Sequence, residues 1–153
     1  MPSRKNTFTY FFPRPGLTVD VVLITTEKRP RVLLIQRRDD PFAGCWALPG
    51  GFVNENEPLE HAARRELREE TGLKVKTLEQ LHTFGDPGRD PRGWTVSVVF
   101  LARVSVRRIR PVAGDDAAAV AWHYLDPPPP LAFDHAEILA MAKKAIRGSR
   151  FQS

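Results

Sequence analysis

The chain has 153 residues, of which 42% are hydrophobic and 27% charged, and its 23 Lys and Arg outnumber its 18 Asp and Glu. That length suits one domain, residues 1–153, able to bury a core without disulfide staples, and no apolar run approaches the ~20 residues that span a bilayer, so no membrane partner is expected. The formal charge of +5 favours anionic partners, but the arginines are scattered rather than gathered into a tail, which argues against nucleic acid.

In chain order, the opening MPSRKNTFTYFFPRPG lacks the continuous apolar stretch and small-residue cleavage site of a leader peptide. Two β-rich runs follow, 17–26 (LTVDVVLITT) and 31–37 (RVLLIQR), with EKRP as the turn between them. DDPFAGCW then reads as a polar loop. It holds the lone Cys45, which cannot close an internal disulfide and is compatible with a reducing, cytoplasmic location. Pro49, Gly50 and Gly51 punctuate the chain before a helix expected to start near Pro58 and stop at Gly72. Strands are expected over 77–84 and 94–104, separated by the long GDPGRDPRG loop, and again over 118–125. After four prolines, Asp134 and Glu137 form a capping-box-like start to a last helix, with Ile138, Met141, Ala142 and Ala145 at helical spacing. This order predicts an α+β fold, a mixed β-sheet in an α/β/α sandwich.

The middle helix is unusually acidic on its apolar side. At ~100° per residue, Leu59, Ala62, Ala63 and Leu67 share one arc; Glu66 and Glu70 fall inside it, Glu69 at its edge, and His61, Arg64 and Arg68 opposite. Three inward carboxylates repel one another, and an unpaired buried charge costs several kcal/mol. Arg65 supplies one positive charge. A hard divalent ion, Mg²⁺ or Mn²⁺, suits clustered carboxylate oxygens and keeps coordination sites for water and phosphate. Glu57 reads equally as a helix N-terminal acid and as an additional member of this cluster.

The same residues resemble the Nudix hydrolase box: Gly51, Glu57, Arg65, Glu66, Leu67, Glu69, Glu70, Gly72 and Leu73 fill every defined position at the family spacing. The resemblance implies a Nudix-type sandwich and metal-dependent hydrolysis of a nucleoside diphosphate linked to another group. By position it implies Glu66, Glu69, Glu70 and the Gly51 carbonyl as metal ligands, Arg65 as the residue that pairs with them, and Glu66 as a group orienting water. Arg37, Arg38, Arg89 and Arg92 have forks suited to phosphate. With Gly50 and Gly51, Arg37, Arg89 and Arg92 are the expected substrate contacts.

FGDPGRDPRGWTVSVVFLA and LAFDHAEIL further resemble the branch acting on ADP-ribose, which implies AMP and ribose 5-phosphate as products. Competing expectations are a hydrolase of nucleoside triphosphates or dinucleoside polyphosphates, and a weakly active binder of an NAD-derived metabolite. The last is motivated by Ala119, where the branch has a late-loop glutamate; Asp115 and Asp116 are candidate substitutes. The regulators of the branch carry a winged-helix module, and this chain is expected to lack one. A homodimer across the GDPGRDPRG loop is expected by analogy alone. Tyr10, Phe11, Phe12 and Trp94 are expected in the core rather than on a base, and His82, His123 and His135 in structural roles.

Overall fold

The computed structural model describes residues 7–105, 110, 111, 113, 114 and 117–148. In order these form β1 (Gly16–Thr25), β2 (Arg31–Arg37), β3 (Trp46–Ala47), β4 (Gly50–Phe52), α1 (Leu59–Thr71), β5 (Glu79–Phe84), β6 (Thr95–Val104), β7 (Ala117–Tyr124) and α2 (His135–Gly148). The sheet runs β3-β2-β1-β6-β5, with β4 on β1 and β7 on β2. β1 and β6 are parallel from Gly16 opposite Thr95 to Thr25 opposite Val104, and the other strand pairs are antiparallel. The sheet is therefore mixed, as expected.

Period-two alternation divides the core into two layers. Val19, Val21 and Leu23 of β1 pack with Val98 and Phe100 of β6 against Ala62, Ala63 and Leu67 of α1. Val22 and Ile24 pack with Val99 and Leu101 against Ile138, Leu139 and Ala142 of α2. One helix thus covers each face. A fully buried Leu67 contributes roughly 1.5–3 kcal/mol through area burial alone.

A fork in the sheet positions the site. β1 and β2 are in register at Ile24 and Val32; toward its start β1 instead pairs with β4, Thr18 opposite Phe52 and Asp20 opposite Gly50. The two glycines, read from sequence as punctuation, are a short strand wedged beside α1. Gly50 has no space for a side chain, since a β carbon would strike the Val19 carbonyl and come within 2.5 Å of an Asp20 carboxylate oxygen.

α1 begins after Pro58, whose ψ of 142° is extended, and ends at Gly72, whose φ of 73° is left-handed and whose N–H bonds to the Arg68 carbonyl. α2 differs from the expected capping box. The Asp134 carboxylate accepts two bonds from Arg89, and the Glu137 N–H donates to the Asp134 carbonyl instead; a charge-assisted bidentate pair outcompetes a side-chain cap. Among the described residues, no helix is long and apolar enough to cross a membrane.

Candidate active site

Glu57, just before α1, and Glu66 and Glu69 within it gather around one guanidinium. Arg65 donates Nε to Glu57 Oε2 at 2.7 Å and Nη2 to Glu57 Oε1 at 2.9 Å. Nη1 donates to Glu66 at 2.7 Å and Glu69 at 3.2 Å, and Nη2 also reaches the Phe52 carbonyl. This hub holds Glu57 well below the usual carboxylate range, at about 2, chiefly through the Arg65 hydrogen bonds, and raises the pKa of Arg65. Of the two readings of Glu57, the structure shows an acid held by Arg65, with its Oε1 also accepting from the Asn54 N–H.

Glu66 is the buried member, its side chain 13% exposed against 53% for Glu69, as the helical arc predicts. Burial raises the Glu66 pKa, opposed by Arg65. Glu66 lies against Gly51, where a β carbon would sit 2.6 Å from the Glu66 carboxyl carbon. Glu70 accepts the Gly50 N–H at 3.1 Å. The short strand β4 and the helix thus bring Gly50, Gly51, Glu66 and Glu70 to one cleft.

These donors are all hard oxygens, and Gly51 leaves Glu66 beside bare backbone, which suits a divalent cation in chemistry. Among the described residues, no three histidine, cysteine or acidic side chains are gathered closely enough to hold a metal ion as they stand. Arg65 itself engages Glu66 and Glu69.

The facing wall is basic. A cleft of about 430 Å³ is lined by Arg37, Arg38, Phe52 and Arg92 as well as Gly51, Glu66 and Glu70. Arg37 Nε donates to the Pro41 carbonyl at 2.7 Å, and its pKa is lowered by burial and by Arg92. The GDPGRDPRG loop folds by consecutive turns, the Arg89 N–H reaching the Asp86 carbonyl and the Gly93 N–H the Asp90 carbonyl. It brings Arg92 in on a buried Asp90, bonded through Nε and Nη2. Arg89 differs in burial: its side chain is only 6% exposed, against 41% for Arg92, and its Nε and Nη2 bond to Asp134. It lines a small cavity of about 90 Å³ together with Asp20, His135, Glu70, Arg37 and Arg92. A larger groove of about 550 Å³ lies along α1 beside His61, Arg64 and Arg68 and touches none of Glu66, Glu69 and Glu70; size does not mark the site.

Some expectations fail. Phe11 and Phe12 are 103% and 79% exposed, and Tyr10 and Trp94 about half exposed, so this aromatic set is not core. Their positions lie before β1 and β6 begin, outside the packed strand faces. Ala119 sits within β7, paired with Gln36, rather than in a loop. Asp115 and Asp116 lie outside the described residues. Sequence reading passed over Asp20, buried and hydrogen-bonded by Ser97 Oγ; a lone acid in a β-branched run is the signal that could have found it. It also passed over Phe133, whose ring underlies Arg37 and Arg92, and no periodicity points to that residue.

The NUDIX domain model matches residues 14–142. The chain is 44% identical over 125 residues to an ADP-ribose pyrophosphatase of Methanocaldococcus jannaschii, covering 82% of this chain and 71% of that protein. It is 35% identical to an ADPR-responsive transcriptional repressor of Acinetobacter baylyi, covering 86% of this chain and 54%, just over half, of the repressor. The NUDIX domain of Shewanella oneidensis NrtR, crystallised with ADP ribose, superposes with a TM-score of 0.82 at 38% identity, covering 88% of this chain and 90% of that one. With the box residues placed on α1 and beside β4, and the family model spanning most of its length, the chain belongs to the Nudix family.

Proposed function

We propose that the protein is a Nudix pyrophosphohydrolase that cleaves ADP-ribose to AMP and ribose 5-phosphate with Mg²⁺ or Mn²⁺. The observation that carries this reading is one cleft lined by Glu66 and Glu70 of α1 together with Arg37 and Arg92. It matches the charge pattern of a diphosphate bridge neutralised from two sides. The likeness to an ADP-ribose pyrophosphatase and to a domain crystallised with ADP ribose supports the choice of substrate.

Glu66, Glu69, Glu70 and the Gly51 carbonyl would hold the cation. Bound there, it would supply positive charge at the bridging phosphates and lower the pKa of water. Arg65 fixes the carboxylates in place through its bonds to Glu57, Glu66 and Glu69. Glu66 commits Oε1 to Arg65, so Oε2 is the atom that orients the attacking water. Water oxygen bonds to one phosphorus and gives up a proton to solvent, the bond from that phosphorus to the bridging oxygen breaks with its electron pair staying on that oxygen, and the two monophosphates leave. Arg37 and Arg92 bind the phosphate oxygens alike before and after cleavage.

The test is product identity from ADP-ribose, NADH, a diadenosine polyphosphate and 8-oxo-dGTP, each with Mg²⁺, Mn²⁺ or chelator. AMP released from ADP-ribose faster than from the other three, and abolished by chelator, supports the assignment. Preference for 8-oxo-dGTP or the dinucleoside polyphosphate would replace it with the corresponding substrate class. Tight ADP-ribose binding without turnover would make the protein a binder.

A further inference from the structure

Phe42 and Phe133 are not glycines, yet both hold left-handed backbone, with φ of 64° and 52°. A β carbon crowds the following carbonyl there, so bulky residues seldom adopt it and persist where their surroundings hold them. The two rings meet edge to face, 4.9 Å between centroids. Phe133 also carries two cations: the Arg37 guanidinium carbon lies 4.9 Å from its centroid and that of Arg92 lies 5.2 Å away. Arg92 stands 5.3 Å from the Phe52 ring as well.

Two guanidiniums on one ring repel each other, and the ring face offsets only part of that cost. Asp90 pairs with Arg92; Arg37 donates Nε to the Pro41 carbonyl and feels Glu70, Asp90 and Asp39. The two guanidiniums line one cleft with Glu66 and Glu70. An anion lying against the two guanidiniums completes the arrangement.

We propose that Phe133 is a positioning residue that holds Arg37 and Arg92 as a two-arginine clamp for one phosphate of a diphosphate-bridged nucleotide, the phosphate farther from Glu66, Glu69 and Glu70. This rests on the pyrophosphohydrolase reading and adds the device that sets substrate affinity. The left-handed backbone at Phe133 aims the ring between the arginines; asparagine accepts the same backbone readily but offers no π face.

The probe is inorganic pyrophosphate, titrated calorimetrically with chelator present into the wild type, Phe133→Asn, Phe133→Leu and Phe133→Tyr. Phe133→Asn and Phe133→Leu are expected to bind about tenfold more weakly, and Phe133→Tyr to stay within about twofold of wild type. In ADP-ribose hydrolysis the first two should raise KM about tenfold with kcat nearly kept. A thermal midpoint for Phe133→Asn no lower than wild type would separate loss of the clamp from loss of fold. Pyrophosphate affinity unchanged in Phe133→Asn, or Phe133→Leu should the first not fold, overturns the clamp, as does a wild type that binds no pyrophosphate. Failure of the substrate assignment looks different: pyrophosphate binding drops in the variants as expected while ADP-ribose yields no AMP.

Discussion

The guanidinium of Arg65 and the carboxylate of Glu57 meet through two parallel hydrogen bonds, Nε to Oε2 and Nη2 to Oε1, which turns Nη1 toward Glu66 and Glu69. A lysine carries the same charge but no fork. Arg65→Lys is expected to lower activity roughly 10–100-fold at limiting metal, as changes to groups that orient ligands do. Metal titration of the rate checks this, since the concentration for half-maximal rate should rise. An unchanged titration curve would remove Arg65 from the positioning role.

Adjacent glycines should fail differently. Gly50→Ala drives a β carbon onto the Val19 backbone and toward the Asp20 carboxylate, and is expected to cost about 1–3 kcal/mol of stability. Gly51→Ala meets the end of the Glu66 side chain, which can swing away, so activity falls while the fold stands. Denaturant melts of both variants beside their turnover distinguish the two cases; equal destabilisation would contradict the geometry.

Arg89 is expected to matter for stability more than for affinity. Removing it in Arg89→Ala leaves Asp134, 13% exposed, without its bidentate partner, a loss of about 3–5 kcal/mol for a buried pair broken from one side. Urea unfolding measures it. A variant as stable as wild type but with a raised KM would return Arg89 to the substrate.

His135 gives the fold an acid-side weakness. Its Nδ1 accepts the Leu48 N–H at 3.0 Å, which puts the neutral ring's proton on Nε2, 3.6 Å from Asp20. Burial holds its pKa below 6.5; Arg89 and Arg37 act in the same direction, while Asp20 and Asp134 oppose them. With the folded pKa depressed, the contribution is complete above 6.5 and is lost as pH falls from there toward the folded value. The slope is about 1.4 kcal/mol per pH unit for one proton. The wild-type stability curve should fall as pH drops below 6.5 relative to that of His135→Asn; parallel curves would contradict it.

Much of this was legible in the sequence because one helix carries both signals. The apolar arc of α1 placed Glu66 and Glu70 inward and Glu69 at the rim, and burial follows that order. Pro58 and Gly72 marked its ends to within a residue. β4 was not legible, since three residues carry no period and their strand character comes from pairing with β1. Asp134 shows the other limit: its neighbours in sequence suggest a helix cap, while its partner in space, Arg89, is 45 residues away. The arginines divide in the same way. Nothing local distinguishes Arg89, committed to Asp134, from Arg37 and Arg92, gathered on Phe133.

On the proposed function, Glu66, Glu69 and Glu70 make the pyrophosphohydrolase metal-dependent. The direct measurement is AMP release from ADP-ribose by wild type and Glu70→Gln across a Mg²⁺ titration, with a chelated control. Glu70 bonds the Gly50 N–H, and glutamine keeps that acceptor and its size while removing the charge. The expected result is Mg²⁺-dependent AMP from wild type and a rate roughly 10²–10³-fold lower from the variant, with the unfolding midpoints close together. Equal rates at saturating Mg²⁺, or AMP release that survives chelation, would contradict the account.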